Sequence, residues 1–113
     1  MLVLFAALAL LAGPPHATID GVPLAVSSWC WGTKCGAPIA ASAKTAVAPR
    51  DSTVRIDFGF DPTQVRVAIA GKAVTVAVHG HEATWRARAA GGLTVSATGA
   101  RGWVTYVGRL RVR

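Results

Sequence analysis

The sequence predicts an all-β domain, and two observations lead to this prediction. Apolar residues alternate with polar ones almost everywhere after residue 50, which is typical of strands with one buried face. Turn-forming residues interrupt the alternation at intervals of about 9–12 residues, and no window carries an apolar stripe at helical spacing. Together these features predict an immunoglobulin-like antiparallel β-sandwich of about seven strands.

The predicted strands follow one another along the chain with short turns between them. The first is expected around residues 23–29. Residues 36–50, rich in Ala, Ser and Pro, are expected to form a long connection with room for one edge strand. The others are predicted at residues 54–60, 65–69, 74–78, 83–87, 93–97 and 104–112. The largest side chains expected in the shared core are Phe58, Phe60, Trp85 and Tyr106.

An apolar leader precedes the predicted domain. Residues 2–12 form an uninterrupted apolar run that is shorter than the about 20 residues of a membrane-spanning helix and matches the apolar part of a signal peptide. The sequence therefore predicts a signal peptide at residues 1–17, cleaved after Ala17, and a β-sandwich domain at residues 18–113. Because Pro15 departs from the usual cleavage pattern and no Lys or Arg precedes the run, the cleavage site and the start codon stay open. We expect a secreted protein, extracellular or in the cell envelope.

Cys30 and Cys35 are the two cysteines of the sequence. In an oxidising compartment, two cysteines this close together are expected to form a disulfide, which fixes a local loop. Their spacing is wider than the Cys-x-x-Cys of redox-active pairs. A zinc site would need further ligands, for which His79 and His81 are the weak candidates.

The acidic and nucleophilic residues show no catalytic pattern. No two carboxylates are spaced as a pair for acid–base hydrolysis. The chain also has neither a Gly-x-Ser-x-Gly elbow nor a phosphate-binding glycine loop. His79 and His81 flank Gly80, and we expect them to be solvated residues of a hairpin turn rather than metal ligands. The sequence therefore predicts a protein that is not an enzyme and that needs no cofactor.

Basic residues outnumber acidic residues by 12 to 5, which gives a formal net charge of +7. Several arginines alternate with apolar residues and are therefore expected on outward faces of the strands. They are Arg55, Arg66, Arg86, Arg88, Arg109, Arg111 and Arg113. A cationic face attracts an anionic cell-wall polymer, a membrane surface or an envelope protein, and export argues against nucleic acid. The alternative is that these arginines only solvate the outer faces and protect the sheet edges.

Trp29 and Trp31 lie on one face of the chain if this segment is extended. Exposed tryptophans stack on ligands, so this pair is a second candidate binding site. The alternative is that the two indoles cover one end of the core beside the disulfide. Trp103 is expected to cover the other end in the same way.

The segment from Ser28 to Cys35, SWCWGTKC, resembles one in uncharacterised small secreted proteins and lipoproteins of Gram-positive-type bacteria. In those proteins an aromatic-Cys-Trp is followed by a second Cys, and the chain ends in a Gly-x-x-x-Tyr strand, similar to residues 102–106 here. The resemblance implies an extracellular location and this fold, but no catalytic residues. Many members carry a lipid anchor on a Cys after the leader; here Pro14 follows Gly13, which implies a soluble form.

The leading prediction is a secreted, non-catalytic binding domain that uses its arginine face or its Trp29/Trp31 end. One alternative is a small metal-binding or redox protein built on His79, His81, Cys30 and Cys35. Another is a purely structural module of the cell envelope.

Overall fold

The computed structural model describes residues 13–36 and 44–113. Within these residues the chain forms twelve β-strands and no helix. The strands are β1 (Ala17–Ile19), β2 (Val22–Pro23), β3 (Ala25–Trp31), β4 (Lys34–Gly36), β5 (Thr45–Ala48), β6 (Thr53–Phe58), β7 (Gln64–Ile69), β8 (Lys72–Val74), β9 (Ala77–His79), β10 (Glu82–Arg86), β11 (Gly91–Gly99) and β12 (Gly102–Val112). No helix that could cross a membrane is found in the described part of the chain. The apolar part of the predicted leader, residues 2–12, lies outside it.

The strands form two sheets that pack into a sandwich. The five-stranded sheet has the order β2-β1-β6-β10-β9. The seven-stranded sheet has the order β4-β3-β12-β11-β7-β8, and β5 pairs with the far end of β12. The order β1-β6-β10-β9 corresponds to strands A-B-E-D of an immunoglobulin domain, and β12-β11-β7-β8 to G-F-C-C′. The predicted all-β, immunoglobulin-like sandwich is therefore confirmed.

The prediction of about seven strands missed several short ones, and it treated residues 74–78 as a single strand. In the structure β8 pairs with β7 in one sheet, whereas β9 pairs with β10 in the other. The chain therefore changes sheets at residues 75–76, between these two strands. Alternation alone does not reveal such a crossing, because the apolar period of two continues across it.

The core lies between the two sheets and receives alternate residues from each. Phe58, Trp85 and Tyr106 are buried as predicted, and Phe60 packs partly buried against them. The ring of Phe58 contacts both Phe60 and Tyr106, with centroids 5.7 Å and 6.0 Å apart. Because all these side chains point inward, the polar residues that alternate with them form the two outer faces of the sandwich.

The residues just before β1 are tied to this core. Pro14 is buried, and Ala17 is 2% exposed and lies opposite Phe58 in the sheet. The hydroxyl of Tyr106 donates a hydrogen bond to the carbonyl of Pro15 at 2.7 Å. The domain boundary predicted after residue 17 stays a prediction, but the folded structure already includes these residues.

Candidate functional site

Cys30 and Cys35 form the predicted disulfide, with sulfurs 2.05 Å apart. The two residues lie directly opposite each other in the β3–β4 hairpin, with Cα atoms 3.9 Å apart. A loop this short contributes only about 2 kcal/mol in the chain-entropy estimate, so the disulfide chiefly fixes the hairpin. Neither sulfur is a free thiolate, and the cysteines therefore contribute no metal ligand.

Trp29 and Trp31 pack against the core instead of forming an open surface. The Trp29 indole lies across Gly36, its cross-strand partner on β4, and its Nε1 is buried. Trp31 makes an edge-to-face contact with Phe60 at a centroid distance of 4.9 Å. These contacts favour the interpretation that the pair covers one end of the core.

The seven predicted arginines lie on two different faces. Arg55 and Arg86 are on the five-stranded sheet, and Arg88 follows it. Arg66, Arg109 and Arg111 are on the seven-stranded sheet, and Arg113 directly follows β12. Because the two sheets pack face to face, their outer surfaces point in opposite directions. The structure therefore does not bring all seven arginines into one surface.

The acidic residues lie mainly with the arginines of the five-stranded sheet. The Nε of Arg55 donates to Asp57 at 3.1 Å, and its Nη1 lies 3.8 Å from Glu82. Arg88 donates to Asp51 at 3.3 Å. These exposed pairs contribute little to stability, but they partly neutralise this side of the molecule.

His79 and His81 also belong to the five-stranded sheet: His79 ends β9 and His81 directly precedes β10. Ligand atoms of His81, Asp57 and Glu82 lie within 4.8 Å of one another, while His79 is not in this cluster. A cation bound there would lie beside the Arg55 guanidinium, which already contacts both carboxylates. This positive neighbour opposes metal binding by charge repulsion.

The outer face of the seven-stranded sheet carries a shallow groove of about 280 Å³. Two rows of side chains cross strands β7, β11 and β12 there. One row consists of Gln64, Thr98 and Trp103, and the other of Arg66, Ser96 and Thr105. The hydroxyls of Ser96 and Thr105 are 3.4 Å apart. With its amide oxygen facing Arg66, the Gln64 side chain accepts hydrogen bonds of 3.2 Å and 3.3 Å from that guanidinium.

Trp103 departs from its expected role. Its side chain is 40% exposed, whereas Val104 beside it is fully buried. The alternation of β12 contains the signal for this, because Trp103 has the same parity as Arg109 and Arg111, which face outward. The same parity rule places Gln64, Ser96 and Thr98 on the outer face.

No protein-family model matches the chain, and no curated protein or solved structure does either. The resemblance to small secreted proteins of Gram-positive-type bacteria therefore stays an expectation.

Proposed function

We propose that this chain is an exported, non-catalytic binding domain that holds an anionic polymer on the outer face of its seven-stranded sheet. The observation that carries the proposal is the separation of charge between the two sheets. The strands of the seven-stranded sheet, as described, contain Lys34, Arg66, Lys72, Arg109 and Arg111 but no Asp or Glu.

The surroundings of this sheet strengthen its positive charge. Lys44, Arg101 and Arg113 adjoin its strands, whereas Asp57 and Glu82 are on the five-stranded sheet and Asp61 lies in the loop that joins β6 of that sheet to β7. Arg109 and Arg111 are two residues apart on one face of β12, so their side chains leave the sheet about 7 Å apart. Such a row of cations on a rigid strand attracts a chain of regularly spaced anions, and salt screens that attraction.

Removing two of these cations should weaken polymer binding. We expect the double variant Arg109→Ser/Arg111→Ser to bind poly-L-glutamate about tenfold more weakly than the unmodified protein at low ionic strength. Its affinity should also fall less steeply as salt is added, because fewer counterions are released on binding. Fluorescence anisotropy of labelled poly-L-glutamate over a salt series measures both quantities.

The matched control is Arg86→Ser/Arg88→Ser. It removes the same net charge but from the five-stranded sheet and its end, so we expect less than a twofold change in affinity. Equal losses in the two double variants would mean that net charge alone matters, and the proposed face would be wrong. Binding that does not respond to salt would instead favour a protein partner or a structural role in the envelope.

The export part of the proposal makes a separate prediction. The contacts of Pro14, Pro15 and Ala17 favour cleavage before Pro14, because cleavage after Ala17 removes the acceptor of the buried Tyr106 hydroxyl. Leaving such a group unsatisfied costs about 1–3 kcal/mol.

We therefore expect the protein recovered from its natural host to have the intact mass of a chain that starts at or before Pro14 but lacks the apolar run. The mass should also be two hydrogens lower than that of the reduced chain, because of the Cys30–Cys35 disulfide. A mass that fits residues 18–113 would place the cleavage after Ala17. A full-length mass with free thiols would contradict export and reopen the metal or redox alternative.

A further inference from the structure

The groove on the seven-stranded sheet has the dimensions of a small ring-shaped ligand. Its two rows each span three strands, which are about 4.8 Å apart, so a row is about 10 Å long. The rows are two residues apart along each strand, or about 7 Å. One or two sugar rings cover an area of this size.

Trp103 is the exposed apolar side chain of the groove, since Ala97 and Val104, which also line it, are buried. It lies on β12, which is hydrogen-bonded between β3 and β11 and is therefore an inner strand of the sheet. The core side of β12 is filled by Val104 and Tyr106, both fully buried, so the Trp103 indole is not needed to complete the core. An exposed indole on a fixed strand provides a flat apolar surface at low entropic cost.

The other outward-facing side chains of the groove are hydrogen-bonding groups. Ser96, Thr98 and Thr105 supply hydroxyls, and Gln64 supplies an amide, so the groove offers both donors and acceptors. Arg66 supplies a planar cation: its Nε and Nη2 donate to Gln64, and its remaining N–H groups can donate to a carboxylate. A flat apolar ring, a set of hydroxyl partners and one carboxylate partner together match a sugar acid.

We infer that this groove binds two adjacent units of an acidic polysaccharide built of uronic acids, with one sugar ring stacked on Trp103 and the carboxylate of the neighbouring unit on Arg66. The inference rests on the proposed function, because the same basic face holds the rest of the polymer. It goes further by naming the class of polymer and the residue that distinguishes a sugar from an anion that has no ring to stack. The hydroxyl-rich lining favours a polysaccharide over a single-stranded nucleic acid, whose bases also stack on aromatic side chains.

The test compares two polyanions that differ in their backbone. Polygalacturonate consists of uronic acid units, whereas poly-L-glutamate carries carboxylates on a peptide. We expect Trp103→Ala to lower the affinity for polygalacturonate about tenfold, which corresponds to about 1.4 kcal/mol, and to leave the affinity for poly-L-glutamate within twofold. Trp103→Phe retains a smaller ring and should recover part of the loss.

The control variant is Val47→Ala. Val47 is also exposed and lies on β5, outside the groove, opposite Arg111 on β12. The Val47→Ala substitution removes apolar surface without removing the stacking ring, so the affinities for both polymers should stay unchanged. Equal urea midpoints for all variants would establish that they are folded.

The outcomes separate the inference from the proposed function. If the unmodified protein binds neither polyanion, both fail. If it binds both and Trp103→Ala weakens them equally or not at all, the basic face stands and the sugar subsite is overturned. The single-stranded RNA poly(U) serves as a third polyanion. If Trp103→Ala weakens binding of poly(U) but not of polygalacturonate, the groove stacks bases and the inference is wrong.

Discussion

Replacing Gly102 with alanine is expected to lower the free energy of unfolding by about 3–5 kcal/mol, through backbone strain combined with overpacking. Gly102 begins β12 and lies opposite Trp31 of β3. Its φ of 153° is outside the range that side chains readily adopt. A Cβ atom at this position would overlap the carbonyl oxygen of Cys30, which is backbone and moves only if the strand moves.

The effect of the Gly102→Ala substitution should extend beyond the turn between β11 and β12. The pairing of β12 with β3 would have to shift, and this pairing positions both the disulfide hairpin and Trp103. Urea unfolding followed by tryptophan fluorescence measures the loss. We expect a markedly lower midpoint with an unchanged slope, since the surface exposed on unfolding is similar.

Gly92→Ala is the matched control. Gly92 lies in β11 of the same sheet, and a Cβ atom there would contact nothing within 4 Å. We expect this variant to be unchanged or slightly stabilised, because alanine restricts the unfolded chain. A Gly102→Ala protein within about 1 kcal/mol of the unmodified one would mean that β3 and β12 are further apart than described.

The longer strands, the disulfide and the central aromatic residues were predictable because each depends on local sequence. The period of two places Ile56, Phe58 and Tyr106 inside without any knowledge of their partners. Two cysteines this close in the sequence have few alternatives in an oxidising compartment. These features need no information about which strands pair.

The proposed binding face was not predictable because it depends on long-range pairing. Alternation places Arg66 and Arg86 equally on outward faces, but it does not tell which sheet each strand joins. The structure assigns them to opposite sheets through the pairing of β7 with β11 and of β10 with β6. Trp103 was missed for a different reason. Large aromatic residues are usually placed in the core, although the parity of its strand places it outside.

Replacing Tyr106 with phenylalanine is expected to remove an alkaline instability of the protein. Tyr106 is fully buried, and this burial raises the pKa of its hydroxyl well above the value of about 10 for an unfolded chain. Above about pH 10 the unfolded chain releases this proton while the folded protein retains it. The stability contributed by the buried neutral phenol is therefore complete below that pH, and it is lost as the pH rises further.

The difference in free energy of unfolding between the unmodified protein and the Tyr106→Phe variant should therefore have opposite signs at neutral and at alkaline pH. Near pH 7 the Tyr106→Phe variant should be less stable by about 1–3 kcal/mol, because the Pro15 carbonyl loses its donor. Above about pH 10 the unmodified protein should lose up to about 1.4 kcal/mol per pH unit through this residue, so the difference narrows and then reverses. Urea unfolding at a series of pH values measures the crossing.

Absorbance gives an independent reading, because Tyr106 is the one tyrosine of the chain. Tyrosinate absorbance should be absent from the folded protein at pH values where the urea-unfolded protein shows it fully. Ionisation near pH 10 in the folded protein, without loss of structure, would mean that the hydroxyl reaches solvent. The bond to Pro15 would then not anchor the residues before β1, and cleavage after Ala17 would leave no buried hydroxyl unsatisfied. If the unmodified protein and the Tyr106→Phe variant lose stability over the same alkaline pH range, the loss is caused by titrating groups other than Tyr106.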